Sequence, residues 1–314
     1  MPNIVEANQL VKQYPGSPEP AVRGVSFAIQ QGEIFGFLGP NGAGKTTTIS
    51  MLSCLLKPTE GSATVAGFDL VRQPVEVKRR IGLVPQDLAL YPTLSARDNL
   101  LFFGRIYKLK GADLRQRVDN ALKMVGLFDR AGDAVETFSG GMKRRVNIAA
   151  GLLHKPAVLF LDEPTVGVDP QSRNFIFENV ESLNQDGLTV LYTTHYMEEA
   201  QRLCDRVAII DKGQIIALDT PKALIESLGG GIIQLGVPPE MPESLIAEVE
   251  RLPDVQRVAP TVDKLEITAQ HAQQTLVSVI KVFNEADISI TSLEILEPNL
   301  ETVFLHLTGK RLRN

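Results

Sequence analysis

The chain has 314 residues, of which 44% are hydrophobic and 22% are charged, and its formal net charge is -5. This length and hydrophobic content support one large or two smaller buried cores, so we expect a globular protein. The negative net charge excludes recruitment of nucleic acid or anionic lipid by a global positive field, and any such partner would need a local site.

The cysteines and the hydropathy of the chain argue against several further classes of protein. Cys54 and Cys204 stand alone, without CxxC or Cys/His spacing, which argues against a disulfide framework or a zinc site and agrees with a reducing cytoplasm. The start of the chain, MPNIVEANQLVKQY, lacks the apolar core of a signal peptide. The longest apolar runs, such as PAVLFL at residues 156–161, are far shorter than a membrane helix. If this protein works at a membrane, another chain must span it.

The predicted elements begin with short apolar runs that alternate with longer amphipathic stretches from Ile34 to about Ile210. The apolar runs are EIFGFLG, IGLVP, AVLFLDEP, LTVLYTTH and RVAIID. Strands of this kind, separated by helical patterns, predict an α/β doubly wound sheet whose ligands bind beyond the carboxyl ends of the strands. Between Asp87 and Leu153 the pattern is helical, so we predict a helical insertion at about residues 87–153.

Three consecutive glycines at residues 229–231 then indicate a domain boundary, because glycine is costly inside a regular element. We place the first domain at residues 1–228 and the second at residues 229–314. The second has the predicted order strand, helix, strand, strand, helix, strand, followed by a short helix. This βαββαβ order is typical of a small ferredoxin-like α+β domain. A structural appendage and a regulatory domain are both open interpretations.

The clearest chemical signal is a glycine-rich segment after the first predicted strand. Residues 39–46, GPNGAGKT, fit the phosphate-loop pattern G-x-x-x-x-G-K-[ST] and lie between a strand and a helical segment. Glycine allows the backbone to curl until successive N–H groups converge on one phosphate. Lys45 would then supply a positive charge to the β- and γ-phosphates, and Thr46 a hydroxyl group to Mg²⁺. The strand–loop–helix context disfavours the alternative, a glycine turn with an idle lysine.

Polar residues follow three further predicted strands. Asp162 and Glu163 follow AVLFL; Asp162 would hold the Mg²⁺ shell, and Glu163 would accept a proton from, or orient, the attacking water. An acidic pair at such a point is otherwise more often a helix N-cap. Gln86 follows IGLVP and His195 follows LTVLYTT, so both reach the same edge, where Gln86 would touch metal or water and His195 a γ-phosphate oxygen. Tyr14, in a proline-rich loop, either stacks on adenine or packs at the surface, and we favour stacking.

The segment FSGGMKRR, residues 138–145, predicts a second anion site. Ser139, Gly140 and Gly141 form a bare loop that opens a helix, where unpaired N–H groups and the helix dipole attract phosphate. We expect the following basic residues to form a solvated face: Lys143, Arg144 and Arg145. A chain that already has a phosphate loop has no evident need of a second site.

Taken in order, these motifs resemble the ATP-binding subunit of an ABC transporter, over roughly residues 4–228. The matching motifs are Tyr14 as the adenine-stacking aromatic, GPNGAGKTT as Walker A, Gln86 as the Q-loop, FSGGM as the signature, VLFLDEP as Walker B, VGVD at residues 166–169 as the D-loop, and His195 as the switch histidine. The signature usually has the sequence LSGGQ, and Phe138 and Met142 replace its outer residues here.

The resemblance implies a P-loop NTPase fold, an ABC-type cassette with a helical subdomain, with ATP and Mg²⁺ as cofactors. It implies that the catalytic residues are Glu163, His195, Gln86 and Lys45, and that the metal ligands are Thr46, Gln86 and Asp162. The residues expected to contact nucleotide are Tyr14, Gly39, Asn41, Gly42, Gly44, Lys45, Thr46, Thr47, Ser139, Gly140, Gly141 and Asp169.

The resemblance also explains the second anion site. In such proteins two copies meet head to tail, and each ATP is held between Walker A of one copy and the signature of the other. A helix N-terminus capped by Ser139 then reaches the γ-phosphate only when the dimer closes, and hydrolysis releases the halves. The expected partners are a second ATPase subunit, as a homodimer, and an integral membrane permease, with no nucleic acid. The expected location is cytoplasmic, peripheral on the inner face of the cell membrane.

Within the family, SGGMKRR and the C-terminal EPNLETVFLHLTG resemble the ATPases of drug, lipid and polysaccharide exporters. This implies export through a separate permease, coupled through the insertion near Gln86 to Leu101, and a C-terminal domain with a regulatory or dimerisation role. One alternative is a soluble ABC ATPase acting on ribosomes or DNA, which a single Walker A and the lack of sustained heptads disfavour. Another is an ATP-binding module without turnover, which Glu163 and His195 argue against.

Overall fold

The computed structural model describes residues 2–227, 230–238, 241–261, 264–296 and 299–309. The chain divides into two compact units, the first ending at Pro221 and the second beginning at Lys222. The predicted break between residues 228 and 229 lies outside the described residues and stays a prediction.

The first unit contains the strands β1 (Asn3–Lys12), β2 (Val22–Gln30), β3 (Ile34–Leu38), β4 (Glu60–Val65), β5 (Phe68–Asp69), β6 (Ile81–Val84), β7 (Val158–Asp162), β8 (Thr189–Thr194), β9 (Arg206–Asp211) and β10 (Gln214–Asp219). Its helices are α1 (Lys45–Leu52), α2 (Pro74–Arg80), α3 (Ala96–Ile106), α4 (Gly111–Met124), α5 (Gly140–Leu152), α6 (Pro170–Gln185) and α7 (Met197–Leu203), and α8 (Pro221–Glu226) begins at its last residue. Of the helices that the structure describes, none has the length and apolar character to cross a membrane.

The larger sheet of this unit has six strands in the order β10-β9-β3-β8-β7-β6. All neighbours are parallel except β10, which runs antiparallel to β9. Every residue of β3, β7 and β8 is buried, as expected for parallel strands covered on both faces. The five strands predicted from apolar runs are β3, β6, β7, β8 and β9, so their carboxyl ends lie at one edge of the sheet.

The first unit also contains a second sheet, whose strands are antiparallel and have the order β2-β1-β4-β5. The apolar runs that predict strands begin only at Ile34, so this sheet was not predicted. In β2, Val25, Phe27 and Ile29 are buried while Ser26 is exposed, a period of two that is typical of a half-covered strand. The two sheets share one core, in which the ring of Phe27 lies 5.5 Å from Phe35 and 5.0 Å from Phe37.

The segment between β6 and β7 contains α3, α4 and α5 and two short 3₁₀ turns, in agreement with the predicted helical insertion. The three helices have a core of their own, which includes Leu100, Val118, Leu122 and Val146. Helix α5 also contacts β6, so it connects the insertion to the parallel sheet.

The second unit contains β11 (Gly231–Gly236), α9 (Glu243–Glu250), β12 (Val255–Pro260), β13 (Lys264–Ala269), α10 (Ala272–Glu285), β14 (Ser292–Leu296) and α11 (Leu300–Thr308). Its strands form an antiparallel sheet in the order β12-β13-β11-β14. Helices α9 and α10 pack on this sheet through a core that includes Leu235, Val249, Ile267 and Phe283. The element order is the βαββαβ order that the sequence predicts.

Candidate functional site

The phosphate-loop segment joins the end of β3 to the start of α1. Gly44 precedes the helix with φ +106, in the left-handed region, and a Cβ atom there would lie 2.7 Å from the carbonyl oxygen of Ala21. A Cβ atom on Gly39 would lie 2.2 Å from the carbonyl oxygen of Ile210. The loop therefore needs glycine at both ends, for backbone conformation at one and for close approach at the other.

Lys45, the first residue of α1, turns its ammonium group into this loop. The side chain is 4% exposed, and Nζ donates to the carbonyl oxygens of Gly39 (2.6 Å) and Pro40 (3.0 Å). It also lies 3.1 Å from Oε1 of Glu163, in a buried ion pair. Burial lowers the pKa of Lys45, and the charge of Glu163 acts in the opposite direction.

Glu163 lies at the centre of the predicted catalytic residues. Its Oε2 atom is 3.4 Å from Nε2 of Gln86 and 3.4 Å from Nδ1 of His195. His195 Nδ1 is buried and has no hydrogen-bond partner among the described residues, so its approach to Glu163 is a close contact without hydrogen-bond geometry. Two loops and the start of α1 thus place the side chains of Gln86, His195 and Lys45 around the carboxylate of Glu163.

Asp162, the last residue of β7, is buried beside the predicted metal-binding hydroxyl group. The hydroxyl of Thr193 donates to its Oδ1 at 2.7 Å. Burial raises the pKa of the Asp162 carboxyl, while hydrogen bonds from Thr193 and Thr46 and the charge of Lys45 act in the opposite direction. A hydroxyl and a carboxylate are oxygen donors of the kind that Mg²⁺ takes, together with substrate phosphates. In the described ranges, no group of three or more His, Cys, Asp or Glu side chains is arranged to hold a metal without such phosphates.

Tyr14 lies beside the phosphate loop. Its hydroxyl oxygen is 3.3 Å from Oγ1 of Thr47 on α1, and the residue is 38% exposed. Nζ of Lys12 lies 5.7 Å from the ring centroid. Asn41 and Gly42, at the outer part of the loop, are exposed as well. This arrangement leaves an aromatic face available next to the loop.

The signature residues form a separate cluster with the D-loop aspartate. Ser139 caps α5, and its hydroxyl accepts a hydrogen bond from the backbone N of Met142 at 3.2 Å. A Cβ atom on Gly141 would lie 3.2 Å from Oδ2 of Asp169, which itself caps α6. Ser139 and Gly140 are exposed. The N-termini of two helices therefore open on the same surface.

Phe138 and Met142, the two residues that depart from the usual signature sequence, pack in the core of the insertion. Phe138 is 4% exposed and packs among the buried residues of the insertion, and Met142 packs against the same core. The guanidinium of Arg130 covers the Phe138 ring at 5.0 Å. Their apolar side chains thus stabilise the insertion and leave Ser139 and Gly140 exposed.

The expectation of a solvated basic face on α5 is wrong for Arg144. This residue is 5% exposed and donates to the carbonyl oxygens of Pro85 (2.9 Å) and Gln86 (2.7 Å). Burial lowers the pKa of Arg144, and the charges of Asp162 and Asp87 act in the opposite direction. The reason is that α5 packs between the other helices of the insertion and β6, which buries a side chain on its first turns.

Glu199 is a functional candidate that sequence reasoning missed. It lies on α7, is 2% exposed, and accepts hydrogen bonds from the hydroxyls of Thr165, Tyr192 and Thr194. The buried residues of α7 are Glu199, Ala200 and Leu203, so the helical spacing of its apolar residues places Glu199 on the inner face. That spacing is the one signal that distinguishes it from the exposed Glu198.

The fold and these clusters define a P-loop nucleoside triphosphatase: a glycine loop at the carboxyl edge of a parallel sheet, with a buried lysine and a carboxylate beside it. The family described as ABC transporter matches residues 22–166. The linearmycin resistance ATP-binding protein of Bacillus subtilis is 47% identical over 99% of this chain and 100% of its own length. The doxorubicin resistance ATP-binding protein of Mycobacterium tuberculosis is 38% identical over 97% of this chain and 93% of its own.

Two further comparisons agree. A Nod factor export ATP-binding protein of Paraburkholderia xenovorans is 38% identical over 99% of this chain and 98% of its own length. Among solved structures, a dimeric post-hydrolysis state of an ATP-binding cassette bound to ADP and phosphate matches with a TM-score of 0.63 and 28% identity, over 69% of this chain and 98% of that one. The chain therefore belongs to the ABC transporter family, as an ATP-hydrolysing subunit that powers a separate membrane permease.

Proposed function

We propose that this chain is the ATPase of an exporter, in which Mg-ATP binds between the phosphate loop of one copy and the signature of a second copy. The observation that carries the proposal is the meeting of Lys45, Gln86 and His195 at the carboxylate of Glu163. This buried ion pair joins Lys45, the proposed phosphate-binding residue, to Glu163, the proposed proton acceptor for water. Phosphate oxygens compete for the Lys45 ammonium, which frees Glu163 to accept a proton from the attacking water.

We propose that Mg²⁺ binds between the Glu163 carboxylate and the phosphates of ATP. Thr46, Asp162 and Gln86 would hold it, through hydroxyl, carboxylate and amide oxygens. When bound, the ion neutralises charge on the β- and γ-phosphate oxygens. The near contact of Thr46 with Asp162 supports this assignment. Tyr14 would stack on adenine at the other end of the loop, and His195 would contact the γ-phosphate.

The second copy would complete the nucleotide site. Ser139 and Gly140 are exposed at the start of α5, so a nucleotide held by another chain can reach the N–H groups there. Asp169 opens the neighbouring helix on that surface. The similar cassette bound to ADP and phosphate is described as dimeric, which supports a homodimer for this chain.

Export is supported by the relatives that match over the full length, which are named for linearmycin resistance, doxorubicin resistance and Nod factor export. A drug, lipid or polysaccharide-like compound is the substrate class we propose. The permease would dock on the insertion, on the cytoplasmic side of the cell membrane. Exposed apolar side chains support this docking surface, and they include Leu88, Tyr91, Leu94 and Phe102.

The test compares the wild-type chain with Glu163→Gln and Lys45→Ala. We expect Glu163→Gln to reduce phosphate release by about a hundredfold or more and to show further association in light scattering only when Mg-ATP is added. Lys45→Ala should show no such increase with nucleotide, and chelation of Mg²⁺ should abolish wild-type turnover. Wild-type phosphate release no greater than that of Lys45→Ala would contradict the proposal.

A second test addresses the permease. The tagged chain is recovered from detergent extracts of its source cells, and the co-purified proteins are identified. An integral membrane protein that depends on the insertion surface, and is lost in Tyr91→Lys, supports a transport complex. Recovery of ribosomal proteins or DNA without any membrane protein would favour a soluble ABC ATPase instead.

A further inference from the structure

A buried carboxylate with no assigned role lies behind the catalytic cluster. Oε1 of Glu199 accepts a hydrogen bond from Thr165 at 2.7 Å. Oε2 accepts from Tyr192 at 3.0 Å and from Thr194 at 2.7 Å. Burying a carboxylate is costly unless hydrogen bonds satisfy it, and three hydroxyl donors do so here.

The donors belong to both loops that carry the proposed catalytic residues. Thr165 is two residues after Glu163, on the loop that follows β7, and Thr194 directly precedes His195 at the end of β8. The hydroxyl of Thr194 also accepts a hydrogen bond from the backbone N of Tyr196 at 2.9 Å, which fixes the turn around His195. One carboxylate thus joins the two turns on which Glu163 and His195 stand.

The imidazole of His195 has weak support apart from this turn. Its Nδ1 atom makes no hydrogen bond with the residues that the structure describes, and its ring lies against Tyr196 with a centroid distance of 4.1 Å. Arg173 on α6 covers the Tyr196 ring at 5.2 Å and lies 3.8 Å from Oε1 of Glu199. The position of the imidazole therefore depends on the backbone turn and on Tyr196. Thr194 connects the turn to Glu199, and Arg173 lies between Tyr196 and Glu199.

We infer that Glu199 is a positioning residue for ATP hydrolysis, which sets the separation of Glu163 and His195 without touching nucleotide. The inference rests on the proposed roles of those two residues. Loss of the carboxylate would release Thr165 and Thr194 together, and the two loops would then move independently. Displacement of a reacting group by about 1 Å is enough to reduce a rate substantially.

The test uses Glu199→Ala with Glu198→Ala as its matched control. Glu198 has the same charge on the same turn of α7, but it is exposed. We expect Glu199→Ala to lower kcat by about tenfold or more with KM changed by less than about twofold, while Glu198→Ala stays within about twofold in both. Equal kcat values for the two variants would overturn the inference.

A second pair of variants serves if Glu199→Ala fails to fold. Thr194→Val removes the hydroxyl at nearly constant volume, whereas Thr194→Ser keeps it. We expect kcat to fall in Thr194→Val and to return to within about twofold of wild type in Thr194→Ser. A reduced kcat in both, or in neither, would contradict a role for this hydroxyl bond.

A spectroscopic readout separates positioning from a general loss of stability. The chain has four histidines, so ¹⁵N-histidine labelling gives a small set of imidazole signals, of which His195 is assigned through His195→Ala. We expect Glu199→Ala to shift or broaden the His195 signals and to leave His271 and His306 of the second unit unchanged. An unchanged His195 signal would overturn the inference. Wild-type turnover in His195→Ala would instead refute the proposed role of His195.

Discussion

Glu163 occupies a left-handed backbone conformation, with φ +46, between the ammonium of Lys45 and the side chains of Gln86 and His195. Its backbone N donates to the hydroxyl of Thr193 at 3.0 Å, which helps β8 to hold the turn. A non-glycine residue in this region costs about 1–3 kcal/mol. The buried ion pair adds little net stability, because desolvation offsets the attraction. The site therefore holds the proposed catalytic carboxylate at the expense of fold stability.

The neighbouring carboxylate of Asp162 is also buried, and a substitution there tests whether a buried charge in this site destabilises the fold. Because burial raises the pKa of this carboxyl, its ionised form destabilises the fold at pH values above that pKa, and the penalty disappears as the carboxyl protonates in acid. We predict that Asp162→Asn, which still accepts from Thr193, stabilises the nucleotide-free protein at pH 7 by about 1 kcal/mol, or a few degrees in Tm. Scanning calorimetry from pH 7 to pH 4 measures it. A gain that grows towards acid would contradict the prediction.

Tyr14 tests the adenine end of the same site. Its ring is partly exposed beside Thr47, so stacking would bury one aromatic face on the base. We predict that Tyr14→Ala weakens ATP binding by about tenfold, since stacking on an aromatic ring contributes about 1–3 kcal/mol. Tyr14→Trp should retain affinity. Titration calorimetry with Lys12→Ala as a neighbouring control measures the effect, and an unchanged Kd in Tyr14→Ala would rule out stacking.

At the scale of elements, α5 connects two parts of the site that are distant in sequence. Its N-terminus carries Ser139, and one turn later Arg144 holds the carbonyl oxygens of Pro85 and Gln86. Lysine has no planar pair of donors with which to bind both oxygens in the same way. Arg144 therefore links the helix that begins at the signature to the backbone of the loop that carries Gln86.

We predict that Arg144→Lys and Arg144→Ala both release this loop. In Arg144→Ala the part-buried carbonyl groups of Pro85 and Gln86 lose their donors, so local opening should become easier. Hydrogen–deuterium exchange should be faster in peptides that cover residues 81–95, and turnover should fall. Lys143→Ala, a change at the preceding residue, is the control. Exchange in these peptides that matches the control would show that Arg144 does not anchor the loop.

The strands that carry the site could be predicted because each is a continuous apolar run, and parallel strands end at one edge. On that basis the sequence predicts that Glu163, Gln86 and His195 lie together. The antiparallel sheet was not predicted, although Val25, Phe27 and Ile29 alternate with more exposed residues, because the strand prediction rested on continuous apolar runs. The period of two was the signal that would have found β2.

The buried charges were not predictable in the same way. A sequence shows that Arg144 and Glu199 are charged and helical, and such residues are usually exposed. Their burial depends on partners from other elements: carbonyl oxygens near Gln86 for Arg144, and hydroxyls near His195 for Glu199. Hydroxyl and carbonyl groups occur along the whole chain, so no local pattern identifies the ones that tertiary packing brings close.

At the scale of the whole molecule, the chain carries two unlike parts of one proposed nucleotide site. The phosphate loop and Glu163 form the first part, and the surface around Ser139 and Asp169 forms the second. A two-fold dimer places each part against its complement in the other copy, so that two complete sites form together. In the proposed homodimer, this symmetry would explain why a chain with a single phosphate loop has a second exposed helix N-terminus at Ser139.

The second unit offers a separate surface for a second copy, at the edges of its sheet. The edge strand β12 has an irregular register with β13 and ends at Pro260, features that oppose pairing with another strand. The other edge strand, β14, pairs with β11 without a register shift. It exposes Leu293 by 44% and Ile295 by 38%. A regular edge strand with exposed apolar side chains favours association by strand addition.

We predict that the full-length protein associates through β14 in the absence of nucleotide, which would keep two ATPase units near each other between turnovers. Leu293→Lys places a charge on that edge, so it should shift the protein towards monomer in sedimentation velocity at about micromolar concentration. Val277→Lys, at a residue of α10 that is 70% exposed, adds the same charge away from the strand and should leave the distribution unchanged. A wild-type protein that sediments as a monomer without ATP would refute this role for the second unit, while ATP-dependent dimers of Glu163→Gln would still support the nucleotide site.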